Sequence, residues 1–430
     1  MWVHLVALGG IASAHVGAPV DAVDVHPVET AGRVLEASIG LAWSADGDDW
    51  RWVCHEAITT PEAVILPRYA VAGRRWLATV PRLSESRTEN DAVYWTDDGC
   101  SWAVASGLTG HEVSAIDLDP SGVLALAVTA DETTGANAIW RSTDGGQSFG
   151  VVMSLEAHVF TSVLFADSAL GTAAAGSVDE TGRGWVHWST DAGRSWQSRQ
   201  VITGEVVMMA LHPADENIGY FVVDGLGVET LYRTDDGGAS AELLLEPEGF
   251  ISDVEVSEAG EAWVAFGGNA YLYAADGRSL ELVTAAPPGL GVSLGTDRVL
   301  LATRFELVND ALSEGTLEEG FTPRFSFVSF AGPLECAAGT PGHEVCAPLF
   351  PLLQESLGLL GDTGNPAGSG SGSGSGGVEP HGGGRSSDSG GPGGAGRVDA
   401  TASKDRGCGG SAWVWLLPLG LFGLRRPRRS

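Results

Sequence analysis

Four acidic residues lie in short apolar segments, where an ionised side chain costs free energy and is therefore a candidate for a function. Asp24, Asp117, Asp253 and Glu255 alternate with Val, Ile, Leu or Ala. Two carboxyl groups that flank a glycosidic bond can act as acid and base, or as acid and nucleophile, in its hydrolysis. In a chain with 55 acidic and 24 basic residues, however, an acidic side chain is more often a solvent-facing neighbour of a turn. Carboxylate-based glycan hydrolysis therefore stays an alternative, and we predict no catalytic residue.

Motifs for metals, nucleotides and activated nucleophiles are missing from the sequence. No CxxC, HxxxH or EF-hand spacing occurs, no glycine loop of a nucleotide site follows a strand, and no GxSxG elbow is present. His26 and His212 each precede a proline at equivalent places of two repeats, as Asp119 does in a third. We interpret these histidines as turn residues, and we predict neither a metal nor a cofactor.

The segments that carry these residues belong to a repeat of four short strands. Consecutive units begin at residues 113, 159, 206 and 251. Each opens with an alternating apolar strand, turns at Pro, Asp or Gly, and continues into a strand rich in Val, Ala and aromatic residues. A third strand then ends in a turn such as STDGGQSF or STDAGRSW, and a fourth strand follows. The unit is an antiparallel meander without helical periodicity.

The spacing of the units predicts a β-propeller. Equivalent aspartates recur at a mean interval of 46 residues, at Asp46, Asp98, Asp144, Asp191, Asp236 and Asp276. Four strands in about 40–50 residues make one propeller blade, since so small a sheet can bury its faces only against neighbours. The fold class is therefore all-β, and residues 20–335 have room for seven four-stranded antiparallel blades. The last unit has lost the turn, so six blades with an irregular cap are the alternative.

The turn that ends each third strand resembles the Asp box of BNR-like repeats, Ser/Thr-x-Asp-x-Gly-x-Ser/Thr-aromatic. Two turns match it fully, and a third has Ala241 in place of the aromatic residue. The residues that carry the resemblance are Ser142, Asp144, Gly146, Phe149, Ser189, Asp191, Gly193, Trp196, Thr234, Asp236 and Gly238. In the Asp-box families, which include sialidases, sortilin-like receptors, photosystem assembly factors and some glucanases, these turns lie on the rim, away from the ligand. The resemblance thus implies a structural role for these residues.

Sialidase activity is the enzyme hypothesis that the Asp boxes raise first. It requires several arginines around the substrate carboxylate, contributed by the innermost strands of the blades. Arg68 is the one arginine in the predicted inner strands, and the Arg-Ile-Pro motif of sialidases is absent. The predicted inner strands cover residues 21–27, 64–71, 113–119, 159–166, 206–213, 251–258 and 291–297. The sequence therefore argues against a sialidase.

Five cysteines are present, and one of them, Cys408, stands in the C-terminal tail. The other four are an even number, which suits disulfides in an oxidising compartment. Cys336 and Cys346 flank a short loop after the last blade, within a cap segment at 336–361, so we predict that they pair. Cys54 and Cys100 remain as the second pair, although four cysteines allow three pairings.

The two ends of the chain read as sorting signals rather than fold. Residues 1–14 form a short apolar run that ends in Ala-Ser-Ala, as a signal peptide does, although it lacks basic residues. A misplaced start codon or a first buried strand is the alternative. Residues 362–407 are rich in glycine and serine and should form a disordered linker. A globular part on such a linker suggests display away from the cell envelope.

The last segment, 408–430, joins Cys408 to an apolar run at 412–424 and four arginines. The run is shorter than the ~20 residues of a helical membrane span. A short apolar stretch closed by arginines arrests translocation, so we expect transient membrane contact. The segment resembles a MYXO-CTERM sorting tail, which implies cleavage near Cys408 and display on the cell surface. The second cysteine usual in that motif is missing here, and this leaves the processing site open.

Taken together, these residues favour an exported, monomeric propeller that serves as a binding or scaffold module for an extracellular glycan or protein. A net charge of −31 argues against nucleic-acid partners. A secreted glycan hydrolase that uses the inner-strand carboxylates is one alternative. An envelope assembly factor that acts on a protein client is the other. The sequence does not identify the ligand.

Overall fold

Seven antiparallel sheets arranged as a ring make up the described part of the chain. The computed structural model describes residues 22–358 except 29–31, 59–66, 81–91, 131–135, 169, 225–228, 247–249, 268, 274–279, 285, 296–297 and 305–307. The predicted signal peptide, the linker, the sorting tail with Cys408, and Asp276 lie outside these residues. Six sheets have four strands and one has five. The innermost strand of each sheet packs against the innermost strands of its two neighbours. The seven-bladed propeller is confirmed, and the six-bladed alternative is wrong.

Each blade is a contiguous stretch of chain whose four strands pair in sequence order. In chain order the blades are β1–β4 (Ala22–Val28, Gly32–Ala37, Gly40–Ser44, Arg51–Val53), β5–β8 (Arg68–Ala72, Arg75–Thr79, Val93–Thr96, Ala103–Val104), β9–β12 (Val113–Leu118, Ala125–Thr129, Ala136–Ser142, Gly150–Glu156), β13–β16 (His158–Phe165, Ala173–Asp179, Arg183–Ser189, Gln197–Thr203), β17–β20 (Glu205–Leu211, Gly219–Asp224, Glu229–Thr234, Glu242–Leu245), β21–β24 (Ile251–Val256, Ala262–Phe266, Asn269–Tyr273, Leu280–Leu282) and β25–β28 (Gly289–Leu294, Val299–Thr303, Leu312–Thr316, Gly320–Phe325).

The second strand of a blade carries most of its apolar layer. It lies between two strands of its own sheet and faces a neighbouring blade on either side. β10 and β26 are accordingly buried along their whole length, whereas the outer strands β12 and β16 are mostly exposed. Burial of one Val or Leu side chain contributes about 1.5–3 kcal/mol. The apolar contacts between adjacent blades therefore supply most of the stabilisation of the ring.

The inner strands share a bulge near their start. In five blades one residue in the first half of the inner strand falls out of register with the second strand, namely Val23, Ser114, Thr161, Ser252 and Leu290, and in the fifth blade the shift lies later, at Met209. A bulge leaves the extra residue unpaired and bends its strand. The common position shows that these blades are similar in geometry.

The ring is closed by a C-terminal cap, which we define as residues 326–358. After β28 the chain makes a 3-10 turn at Phe327–Ser329 and adds a fifth strand, β29 (Gly332–Pro333), parallel to β4 on the outer edge of the first blade. A π-helical turn at Gly342–Cys346 then leads into a helix, α1 (Ala347–Ser356). One apolar cluster joins the first blade, the seventh blade and the cap, and includes Trp50, Phe325 and Phe350.

Two disulfides hold the cap, and their pairing corrects the sequence prediction. Cys54 pairs with Cys346, and Cys100 pairs with Cys336, with Cα–Cα distances of 5.4 and 5.5 Å. The predicted pairs Cys336–Cys346 and Cys54–Cys100 are therefore wrong. The reason is topological: ring closure brings the C-terminal cap back onto the first two blades. Spatial proximity thus links cysteines that are 292 and 236 residues apart.

Helices are few and short in the part of the chain described above. None of those helices is long and apolar enough to cross a membrane. A 3-10 turn at His55–Ala57 follows the first blade, and α1 is the longest helix. The residues that the structure describes are thus all-β apart from the cap and the short turn at His55–Ala57.

Candidate functional site

Two places gather polar side chains: the turns between third and fourth strands, and the central channel that the inner strands enclose. In the third blade, the Ser142 hydroxyl donates to Asp144 Oδ1 (2.6 Å) and accepts from the Gly146 amide (2.9 Å). Asp144 Oδ1 also accepts from the amides of Gln147 (3.1 Å) and Ser148 (2.9 Å), and its Oδ2 accepts from the Ser148 hydroxyl (2.6 Å). Both carboxylate oxygens are used inside the turn.

The same arrangement recurs in four other described turns, centred on Asp46, Asp98, Asp191 and Asp236. The hydroxyl two residues earlier donates to the carboxylate, which in turn accepts backbone amides from the far side of the turn. The first two turns follow this pattern although their sequences are incomplete matches. The degenerate signatures of blades one and two thus keep the geometry.

Glycine is required at one point of each turn. Gly146 has a φ of 81°, and a Cβ there would lie 2.5 Å from the Leu77 side chain of the preceding blade. Gly193 meets Leu126 in the same way. A side chain would therefore strain the backbone and push the blades apart. These turns consequently fasten each blade to its neighbour.

The turn carboxylates are held ionised. Burial alone would raise the pKa of Asp191, but hydrogen bonds from Ser195, Ser189 and the Arg194 amide lower it to about 2. The pKa of Asp144 is lowered in the same way by Ser142, Ser148 and the Gln147 amide, against the effect of its burial. A carboxylate whose lone pairs are already occupied has little capacity left for a ligand.

The central channel is the second polar place. Asp24, Asp117, Asp253 and Glu255 all lie on inner strands, partly buried and partly accessible to solvent. They lie within the ring, on the inner strands where the sequence predicted them, and not beside turns. The inner strands bring together side chains that are more than 200 residues apart in the sequence.

Two of these carboxylates join adjacent inner strands. Asp117 Oδ2 accepts from the Phe165 amide of the next blade (2.6 Å), and Asp253 Oδ2 accepts from the Val292 amide of the next blade (2.7 Å). The Ser162 hydroxyl occupies the same place between the fourth and fifth blades, where it accepts from the Met208 amide (2.7 Å). These side chains satisfy amides on the channel-facing edge of the neighbouring strand.

Burial and mutual repulsion raise the pKa of several carboxyl groups in the channel. Burial raises the pKa of Asp117 to about 7, against hydrogen bonds from the amides of Phe165 and Leu118. Burial and the charge of Asp24 raise the pKa of Asp253 well above its usual range. Neighbouring carboxyl groups in a poorly solvated space disfavour one another's ionised form, which is the cause of these raised pKa values.

Glu255 differs from its neighbours because no described residue donates a hydrogen bond to it. Burial raises its pKa, and so do the charges of Asp253, Asp167, Asp24 and Asp117. A raised pKa favours the neutral carboxyl group, whose O–H can donate a hydrogen bond to a ligand or serve as a general acid. Glu255 is the channel side chain best suited to chemistry.

Arg68 lies at the first residue of β5, at the end of the inner strands where they begin. Its Nη1 donates to the Ser114 carbonyl (2.9 Å). Burial and Asp24 raise the pKa of Glu36 to about 8, although Arg68 and the Tyr69 amide oppose the shift. The pKa of Glu205 is raised by burial and by Asp224, again against Arg68. The single guanidinium of Arg68 therefore offsets the negative charge of the channel only in part.

The arginine cluster of a sialidase is not found on the described inner strands. Arg68 is the sole arginine among those strands, so they supply no group of guanidiniums for a substrate carboxylate. In the part of the chain that the structure describes, no group of three or more His, Cys, Asp or Glu side chains has the geometry to hold a metal ion.

The two proline-flanked histidines have different positions. His212 lies in a turn after β17, where its Nδ1 accepts from the amides of Ala214 (3.0 Å) and Asp215 (3.1 Å). His26 instead lies within β1, opposite Val34 of β2. The turn interpretation is correct for His212 and wrong for His26.

Three channel carboxylates were missed by the sequence reasoning: Glu36, Asp167 and Glu205. Glu36 lies on a second strand, opposite Asp24 in the sheet register. A search of the residues that pair with Asp24 across the hairpin could have found it. Asp167 follows β13, and Glu205 begins β17, so both lie at ends of inner strands where side chains reach the channel mouth.

No family model matches the sequence, and no curated protein matches it. Several solved propellers are similar in structure. YCF48 from Cyanidioschyzon merolae is 12% identical over 66% of this chain and 93% of its own, with a TM-score of 0.45. A YCF48 bound to D1 peptide is 15% identical over 61% of this chain and 83% of its own, with a TM-score of 0.42.

An ancestral GH74 enzyme is 15% identical over 60% of this chain, with a TM-score of 0.44. The chain spans only 37% of the length of that enzyme. These likenesses concern the fold, and the peptide and the glycosidase class named for these proteins are properties of those proteins.

Proposed function

We propose that this protein is an exported, surface-displayed propeller that binds an extracellular glycan or protein in its central channel. The observation that supports the proposal is the contrast between its two sets of carboxyl groups. The turn carboxylates accept their hydrogen bonds from residues of the same turn, as structural Asp boxes would. Glu255, in contrast, lies in the channel without such bonds and remains able to bind.

The chemistry of the channel favours a ligand with hydroxyl or cationic groups. Neutral carboxyl groups donate and accept hydrogen bonds as glycan hydroxyls do. A lysine or arginine side chain of a protein ligand would instead draw the same groups into their ionised form. A polyanionic ligand would add repulsion to an already acidic channel, so it is disfavoured.

Export is supported by the two disulfides, because such bonds persist in oxidising compartments. The proposed route is a signal peptide at 1–14 and a MYXO-CTERM tail at 408–430, separated from the propeller by a glycine-rich linker. The tail would place the ring above the cell surface on a flexible stalk.

Glycan arrays and a library of basic peptides, probed with the purified propeller, test the binding proposal. Glu255→Ala should weaken binding at least about tenfold, because it removes a donor in the channel. Asp144→Asn is the matched control outside the channel and should bind as the wild type does. Equal binding by wild type and Glu255→Ala, with Asp144→Asn impaired, would move the site to the turns.

A glycan hydrolase remains the second candidate, because the raised pKa of Glu255 is what a general acid requires at neutral pH. Release of reducing ends from polysaccharides, assayed between pH 5 and 8, tests it. Activity that Glu255→Gln abolishes would establish the enzyme, whereas binding without product would exclude it for the glycans tested.

A further inference from the structure

We propose that the two disulfides of the cap are a latch that a dithiol reductant opens in a fixed order, Cys100–Cys336 first and Cys54–Cys346 second. Opening the second bond releases α1 and β29 from the first blade. The proposal rests on the path of the cap, on the unequal burial of the two bonds and on the segment that connects them.

The path of the cap crosses the seam between the last and first blades. The Ala331 and Leu334 amides donate to the carbonyls of Trp50 (3.0 Å) and Trp52 (2.8 Å), which places β29 along the first blade. The chain then reaches the second blade, where the Gly342 amide donates to the Cys100 carbonyl (2.9 Å). The cap thus spans three consecutive blades.

The Cys100–Cys336 bond lies near the surface. Cys100 belongs to the turn of the second blade and is 8% exposed, next to the exposed Ser101. Cys336 is partly exposed, and its neighbours Glu335 and Ala337 are exposed. A thiolate in solution can therefore approach this bond from the Cys336 side more easily than it can approach the fully enclosed second bond.

The Cys54–Cys346 bond is enclosed. Its cysteines are 0% and 2% exposed, within the apolar cluster that contains Trp52, Leu349 and Phe350. A thiolate can reach it only after residues 342–346 and α1 lift away. Attack on this bond is therefore limited by local unfolding of the cap.

The short segment between Cys336 and Cys346 couples the two bonds. A Cβ on Gly342 would lie 2.6 Å from Cys336 Sγ and 3.1 Å from Cys100 Cα, so this segment packs directly on the outer bond. While the outer bond is intact, it anchors the start of the π-helical turn over the inner bond. Its reduction removes that anchor and makes lifting of the turn more frequent.

The chemistry is thiol–disulfide exchange. One thiolate of the dithiol attacks a sulfur of Cys100–Cys336, the S–S bond breaks, and a mixed disulfide forms. The second thiol of the reductant then displaces the protein sulfur. The reductant leaves as its cyclic disulfide, and the protein has gained two electrons and two protons as two thiols. The same exchange follows at Cys54–Cys346.

The test is timed reduction of the folded, oxidised protein with dithiothreitol, followed by alkylation and peptide mapping. Labels should appear on Cys100 and Cys336 first, and on Cys54 and Cys346 at least about tenfold more slowly, as an opening cost of about 1.4 kcal/mol would require. In Cys100→Ser/Cys336→Ser the inner bond should be reduced several-fold faster than in the wild type. Simultaneous labelling, or inner labels first, would overturn the proposal.

Two controls keep the test decisive. In Cys54→Ser/Cys346→Ser the outer bond should be reduced at the wild-type rate, since its access needs no opening. If that variant does not fold, hydrogen exchange of the wild type after the first phase replaces it. Faster exchange confined to residues 334–356 supports the latch, and equally faster exchange in blades three to five contradicts it.

Discussion

At the scale of single residues, the carboxylates divide into those that hold a turn and those that share a channel. Asp191 accepts the Arg194 amide (3.0 Å), the Ser195 amide (2.9 Å) and the Ser195 hydroxyl (2.7 Å). A structural role of this kind makes its removal costly for folding and irrelevant for binding.

Asp191→Ala should lower the free energy of unfolding by about 1–3 kcal/mol, because the turn donors lose their acceptor. Urea denaturation measures the change, and Glu180→Ala, an exposed position of the same blade, should have almost no effect. Any ligand affinity should be unaltered at a permissive temperature. Lost affinity with an unchanged unfolding midpoint would show that the turn is a binding site.

Glu255 should make the stability fall as the pH rises. Its pKa is raised in the folded state, so its contribution is fully present below about pH 4.5 and is lost as the pH passes through the folded value. Glu255→Gln cannot ionise, so it should stabilise the protein at pH 9 relative to wild type and change it little at pH 5. Thermal unfolding at both pH values, with Glu242→Gln as the exposed control, checks this. An identical pH dependence in wild type and Glu255→Gln would contradict the raised pKa.

The turns could be predicted from sequence because their interactions are local, within four residues of each aspartate. The channel could not be predicted in the same way. The pKa of Glu255 depends on Asp24 and Asp117, which come from blades one and three and approach only when the ring closes. No spacing in the sequence reports that distance.

At the scale of elements, the fourth blade contains a polar ladder across all its strands. His158 of β13 is hydrogen-bonded to Ser177 of β14 (3.2 Å), Ser177 to His187 of β15 (2.8 Å), and His187 to Ser198 of β16 (2.8 Å). His187 is fully buried, and burial followed by the nearby His158 lowers its pKa to about 3.

The ladder predicts acid sensitivity that is opposite in sign to that of Glu255. The folded pKa of His187 is lowered, so the unfolded chain binds more protons below about pH 6.5, and stability is lost as the pH falls from there. His187→Gln removes the group that titrates, and with it this loss of stability at low pH. The stability gap between wild type and variant should narrow by about 2 kcal/mol from pH 7 to pH 5, as measured by urea denaturation. A constant gap would show that folding does not lower the pKa of His187.

The repeat unit was predictable because each blade is contiguous, with an alternating inner strand and a nearly uniform spacing. The cap was not. Its cysteines, Cys336 and Cys346, are neighbours in the sequence, yet each is bonded to a different blade. Sequence proximity is a poor guide to pairing where a closed ring returns the end of the chain to its start.

At the scale of the whole molecule, the proposed display on the cell surface would depend on the C-terminal tail. The apolar run at 412–424 is short, and its arginines should stall export with Cys408 near the membrane boundary. Intact mass of protein recovered from the cell surface should show a chain that ends near Cys408. A mature chain that still ends at Ser430 would reject processing, and normal display of Cys408→Ser would reject the role of the thiol.

The nested pairing of the cysteines also has a consequence for biosynthesis. Cys54 emerges 292 residues before Cys346, a delay of roughly 15–60 s at ~5–20 residues per second. Throughout that interval Cys100 is the first partner it can meet, and this is the wrong one. Oxidation in order of appearance would therefore form a non-native Cys54–Cys100 disulfide. Correct pairing then requires either an exchange of disulfide partners or a delay of oxidation until the last blade is complete. The yield of correctly paired protein should depend on a disulfide isomerase, and not on oxidant alone.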